Sequence, residues 1–198
     1  MAYDKSLLSG ELRQWAQFSR DFCLPEWDSI PKFGLYMDQV MVLLEEYLPF
    51  ISASASEKEG VITASTINNY VRLKIMPAPE KKKYSRVHIV YLLMILTLKL
   101  SLSISDVQKL LPQDTEEDTV RLLYADFCGK FHRMLATFAD DLQSAEAQIS
   151  TADAPDAASV RIASEYALTA AFYTLFAEKL IRLNDAASAA DEGSAKAD

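Results

Sequence analysis

Apolar residues recur at three- and four-residue steps along most of the chain, so helices are expected nearly throughout. Ser9 is a suitable cap for a first helix carrying Leu12, Trp15, Ala16, Phe18, Ser19 and Phe22. Leu35, Val40, Leu43, Leu44, Tyr47 and Leu48 form one stripe of a second helix over 35–48, which Pro49 closes. Ser65 is placed to cap a short helix from Thr66 to about Leu73, with Ile67, Tyr70, Val71 and Leu73 toward the core. Ser85 is placed to cap Arg86–Lys99, whose run Val87–Leu98 is apolar except at His88. That run is too short to span a bilayer and reads as a central core helix. A break at Ser101–Ser103 precedes Ile104–Leu111, and Pro112 ends that element. Val120, Leu123, Phe127, Phe131, Met134, Leu135, Phe138, Leu142 and Ile149 sustain a long stripe over 119–149, and a last helix is expected over 159–183.

The interruptions are as informative as the stripes. Pro25 and Pro31 bracket the irregular link PEWDSIP. Ser52–Gly60 is small and charged and reads as a mobile loop. Pro77 and Pro79 forbid a helix through MPAPEKKKYS and force an extended entry, with Lys81–Tyr84 as the exposed edge of a small hairpin. A polar-faced helix, a proline exit, a basic hairpin and a capped apolar helix, in that order, spell a winged helix-turn-helix. The expected fold is all-α with a small β-hairpin wing, followed by two long C-terminal helices. The expected parts are an N-terminal helix and link over 1–29, the winged domain over 30–112, a helical hairpin for dimerisation over 113–184, and a disordered tail over 185–198.

Charge sharpens this picture. The chain carries a net charge of −8, yet residues 61–90 hold six cations (Arg72, Lys74, Lys81, Lys82, Lys83, Arg86) against Glu80, a local +5 that leaves −13 elsewhere. A compact cationic patch on an anionic protein suits a partner with regularly spaced negative charge. Half the residues are hydrophobic, so a core is affordable, and five glycines favour helices with short turns. Cys23 and Cys128 stand far apart with no metal-binding spacing and read as two free buried thiols in a reducing compartment. The opening segment lacks a charged leader before an apolar core, so a cytoplasmic location without membrane attachment is expected.

A helix that reads the major groove needs short polar side chains near its start and cations at its flanks. Thr63, Ser65, Thr66, Asn68 and Asn69 supply the first, and Arg72 and Lys74 the second. Lys81, Lys82, Lys83, Tyr84 and Arg86 form the wing, where amines need charge more than geometry to hold phosphates. The plain alternative is that the lysine triplet is a solvated face and the asparagine pair turn chemistry. No catalytic residues, metal ligands or cofactor are expected. His88 and His132 lack nucleophile or acid partners at usable spacing and read as surface or boundary histidines. Glu45 and Glu46 diverge on a helix, and the acids Asp114–Asp118 favour the dipole at a helix start.

The stretch TINNYVRLKIMP, KKKYSRVHI and LKLSLSISDVQKLL resembles the DNA-binding domain of the MerR group of transcription regulators. The resemblance puts Thr66, Ile67 and Tyr70 on the recognition helix and Ile75 and Pro77 on its exit. It puts Lys82, Lys83, Tyr84 and Ser85 on the wing, and Leu102, Ser103, Ile104, Val107 and Leu110 on the helix pair behind. That group carries Gly at the place of Lys74, and Arg and Tyr at the places of Asn68 and Asn69, and it lacks the insertion over 49–61. A closer likeness is to an uncharacterised bacterial family, domain of unknown function 1836. LYMDQV, INNYV, PAPEKKKYSR and LSIS carry it over about residues 27–112. It implies a MerR-like fold without an established activity.

The expected function is therefore transcription control by a MerR-like homodimer on double-stranded DNA, not catalysis. The long C-terminal helix would pair the subunits and set the recognition-helix spacing to a palindrome. An apolar space between the C-terminal helices would take any small effector. The competing expectation is a protein–protein interaction module on a winged-helix scaffold that has lost DNA binding, favoured by the acidic bulk.

Overall fold

The computed structural model describes residues 4–54, 62–112 and 116–195. Its helices are α1 (Lys5–Asp21), α2 (Met37–Tyr47), α3 (Pro49–Ser54), α4 (Ala64–Arg72), α5 (Arg86–Leu98), α6 (Ile104–Leu110), α7 (Glu117–Thr151) and α8 (Pro155–Ala195), with a 3-10 turn at Trp27–Ser29. Several starts fall earlier than the apolar periodicity predicts, because polar caps lie upstream of the first apolar residue. Asp4 caps α1 by accepting from Ser6 and Leu7 N–H, while Ser9 is buried within the helix. Thr63 caps α4 in place of Ser65. Of the loop expected over 52–60, residues 52–54 are instead helical in α3, and residues 55–60 lie outside the described residues. The tail expected from residue 185 instead continues α8 to Ala195, in keeping with the helix propensity of its alanines.

The chain divides into two compact units, the first made of residues up to Cys23 with Cys128–Ala177, the second of Leu24–Phe127 with residues from Glu178 onward. In the first unit, Ala145, Ile149, Ala158 and Ile162 form a buried cluster against Leu8 and Leu12. Thus α1 packs with the C-terminal helices and does not stand apart as an N-terminal segment. Arg20 binds Asp140 at 2.7 Å, Trp15 meets Phe138 edge-on, and Ser9 and Ser150 share a hydroxyl hydrogen bond of 3.0 Å. Cys128 is half-buried and Cys23 exposed, so the free thiols do not lie in the core as expected.

The second unit is built on α5. Ile89–Leu96 are all buried, so this helix is enclosed on every side, as its unbroken apolar run demands. α2 packs against it, and Val40 and Leu44 of α2, Ile67 and Tyr70 of α4 and Val107 of α6 are buried in the same unit. Tyr91 donates to the Pro112 carbonyl at 2.8 Å, and Tyr124 to the Pro25 carbonyl at 2.8 Å. Among the described residues no helix is long and apolar enough to cross a membrane.

The described residues contain no strand, so the expected β-hairpin wing is corrected to a tight turn. Two isolated antiparallel bridges stand there, Glu80 with Lys83 and Leu35 with Tyr84. Pro77 and Pro79 have no N–H to donate, so the incoming arm cannot extend a ladder. The outgoing arm pairs elsewhere: Leu35 N–H donates to the Tyr84 carbonyl at 2.9 Å and its carbonyl receives the reciprocal bond at 2.8 Å. Next to it the Gly34 backbone approaches closely, since a Cβ there would stand 2.9 Å from the Lys83 Cβ.

Arg86 locks the link after Pro25 onto α5. It is 7% exposed, and its Nε and one Nη donate to the Ile30 carbonyl at 3.0 and 2.7 Å. Its guanidinium lies 3.6 Å from the Asp28 carboxylate and 5.3 Å from the Trp27 ring centre. Arg86→Ala removes the fork and leaves a buried carbonyl unsatisfied, so urea unfolding should show a loss of about 2–4 kcal/mol with little change in m-value. Arg86→Lys keeps the charge without the fork and should recover less than half of that loss.

Candidate functional site

Short α4 presents two faces. Ile67 and Tyr70 are buried, while Ser65, Asn68 and Arg72, spaced to share the opposite face, are exposed. Thr66 and Asn69 are half-buried at the margin. Thr63 is the helix cap: its Oγ1 accepts the Thr66 N–H at 3.1 Å, and the two hydroxyls lie 2.8 Å apart. Arg72 donates to Asn69 Oδ1 at 2.7 Å, so these two side chains hold each other.

The helix ends in a Schellman turn. Lys74 N–H donates to Val71 O at 3.0 Å and Ile75 N–H to Tyr70 O at 3.0 Å, which sets Lys74 at φ 56°. This left-handed backbone is the conformation that glycine ordinarily serves. Lys81 and Lys82 sit at φ 48° and 63° in the middle of the Glu80–Lys83 turn, closed by Lys83 N–H to Glu80 O at 2.8 Å. Two successive left-handed residues make the hairpin turn that Asn-Gly ordinarily fills. Among the described residues every non-glycine residue with positive φ is one of these three lysines. Each lysine costs roughly 1–2 kcal/mol in that region.

The six cations do not act alike. Arg86 is buried and committed to Ile30 and Asp28, so it offers no face to a phosphate. Tyr84 is also buried, and burial pushes its phenol above the ordinary value. Lys83 lies over the Tyr36 ring, 5.5 Å from its centre. An open hollow of about 580 Å³ is lined by Tyr36, Met37, Asp38, Asn68, Pro79, Lys82 and Tyr84. It brings Asn68 and Lys82 together across the gap between α4 and the turn. It also holds Asp38, so the surface is not free of acids. Lys74 lines a separate hollow with Val71, Ile75 and Tyr91.

His88 has a role that sequence reasoning missed. It is buried beneath Tyr84, with ring centres 5.6 Å apart, and its Nδ1 accepts the Ser85 N–H at 3.0 Å. The imidazole thus takes the place that Glu or Gln fills in a capping box, and the Ser85-to-His88 spacing was the available signal. That bond puts the ring proton on the buried Nε2, on the side of the Ala78 carbonyl. Burial lowers the His88 pKa from the ordinary 6.5, against smaller opposing pulls from the Ala78 carbonyl and the Glu80 carboxylate.

In the first unit, the apolar space foreseen between the C-terminal helices is a hollow of about 460 Å³ whose lining includes Leu12, Leu142, Ile149 and Ile162. Tyr166 at its edge is raised above its ordinary pKa, first by burial and then by the neighbouring Asp141. No group of three or more His, Cys, Asp or Glu side chains gathers into a metal-binding cluster among the described residues.

This architecture defines a helical protein whose second unit carries a polar-faced helix beside a lysine turn. A family described as a domain of unknown function (DUF1836) matches residues 25–127, almost the first segment of that unit, Leu24–Phe127. The chain belongs to this family. Comparison with curated proteins and with solved structures found no match.

Because the folded-state pKa of His88 is depressed, its neutral form contributes stability that is fully present above about pH 6.5 and is lost as pH falls through the folded value. Gln at this position still accepts the Ser85 N–H and does not titrate. Chemical denaturation between pH 7.5 and 5 should therefore show a shallower acid loss in His88→Gln than in the natural protein. Parallel profiles would exclude the histidine as their source.

Proposed function

We propose that the second unit binds double-stranded DNA, with α4 facing the bases and the Glu80–Lys83 turn on the backbone, as in a MerR-like regulator acting as a dimer. The observation that carries this reading is the shared hollow of Asn68 and Lys82, a base-reading amide beside a free amine. The strained turn supports it. Glycine would fit Lys81 and Lys82 at lower conformational cost, so lysine there points to a use for the charge. Neither lysine has an ion-pair partner among the described residues. The contacting set is narrower than the sequence suggests: Ser65, Asn68, Arg72, Lys74, Lys81 and Lys82 are exposed, whereas Tyr84 and Arg86 serve the fold.

A second reading has its own support. Asp38 beside Lys82 gives the hollow both signs of charge, which suits a protein segment better than a polyanion. Salt dependence separates the two. Binding to duplex DNA should weaken steeply with salt, and Lys81→Gln with Lys82→Gln should reduce the log–log slope by roughly 0.9 for every phosphate no longer neutralised. Asn68→Ala should cost about 1–3 kcal/mol on a preferred sequence and little on random DNA. Absence of DNA binding at low salt would leave the protein-interaction reading.

A further inference from the structure

The last helix carries the largest feature that DNA recognition does not use. From Tyr166 to Ala177, α8 reads YALTAAFYTLFA, with Glu165 and Glu178 at its two flanks and no charged residue within. Its contribution to the core of the first unit ends at Ile162, and residues 163–173 are all exposed. Leu168, Phe172, Tyr173, Leu175 and Phe176 are 62%, 69%, 70%, 57% and 61% exposed. A monomer's largest apolar patch is ordinarily about 300–600 Å². With aromatics of roughly 150–250 Å² each, these five side chains offer about 600 Å².

We propose that this segment is the contact surface for a second copy of the chain, in an antiparallel two-fold crossing centred on Phe172. Two such patches remove about 1,200 Å² from water together, the lower end of the range for a specific stable interface. The spacing is self-complementary. Leu168, Phe172 and Phe176 follow one face at four-residue steps, so an antiparallel copy sets Leu168 against the second copy's Phe176 and Phe172 against itself. A neutral stripe presents no charge pattern to select an unlike partner, and the lysines and arginines of an interfacial membrane helix are missing from 166–177. Of the α7 stripe, where pairing was expected, Leu142 and Ile149 are buried within the first unit while Met134 and Phe138 are exposed, two isolated side chains against the five of α8.

The inference rests on the dimeric part of the proposed function and is independent of DNA recognition. Sedimentation of the full chain at micromolar concentration should give twice the 22.1 kDa chain mass. Phe172→Glu with Phe176→Glu should weaken self-association at least about 100-fold while the helical circular dichroism is unchanged. Phe172→Cys, with Cys23 and Cys128 changed to Ser, should cross-link to itself under mild oxidation far more than Leu168→Cys does. A monomeric natural protein, or a dimer that survives the double Glu change, overturns the proposal. In either case DNA binding that still depends on Lys81 and Lys82 would leave the DNA reading standing. Loss of DNA binding with the dimer intact would strike that reading alone.

Discussion

Arg86 ties the irregular link after Pro25 to the first turn of α5. The link from Pro25 to Tyr36 holds little regular structure beyond the turn at Trp27, so its backbone carbonyls need donors from elsewhere. A guanidinium fork on the Ile30 carbonyl supplies two at once, and the Trp27 ring and Asp28 carboxylate complete the enclosure. The fork anchors the first turn of α5. It fixes where Gly34 and Leu35 run, hence where Tyr84 pairs and where the lysine turn projects. A cation that looks like part of a binding patch is thus the condition for that patch to have a shape.

The turn shows how charge and backbone can compete. Three lysines occupy left-handed conformations, two of them adjacent in a turn that glycine and asparagine fit better. The surrounding contacts overdetermine the strain: Tyr84 is buried and paired with Leu35, and Ile75 and Met76 are buried at the exit of α4. Stability there comes from burial of the flanks, which leaves the tip residues to be chosen for charge. His88 belongs to the same arrangement, since it caps α5 while packing under Tyr84.

The two units divide the physical tasks. The second encloses an apolar helix and exposes a small polar and cationic surface. The first packs α1 against the C-terminal helices and leaves a neutral aromatic stretch of α8 in solvent. The proposed DNA binding would use the first of these surfaces and the proposed self-association the second. Their chemistry is distinct enough that either can fail in experiment without the other.

The helices are legible in the amino-acid order alone, because apolar spacing, prolines and caps are local. α5 is readable to within a residue, and so is the bend at Pro77 and Pro79. The inward side of α4, with Ile67 and Tyr70, is readable for the same reason. Long-range packing settles which cations are free. Nothing local separates Arg86 from Lys82, since both lie in one basic stretch. Only the Ile30 carbonyl, fifty-six residues away in sequence, makes Arg86 internal. The hairpin fails because proline removes the donors on one arm and Leu35 captures the other, a competition invisible in either segment alone. The last helix is legible in its sequence, but the exposure of its aromatic residues is decided by which helices pack against it.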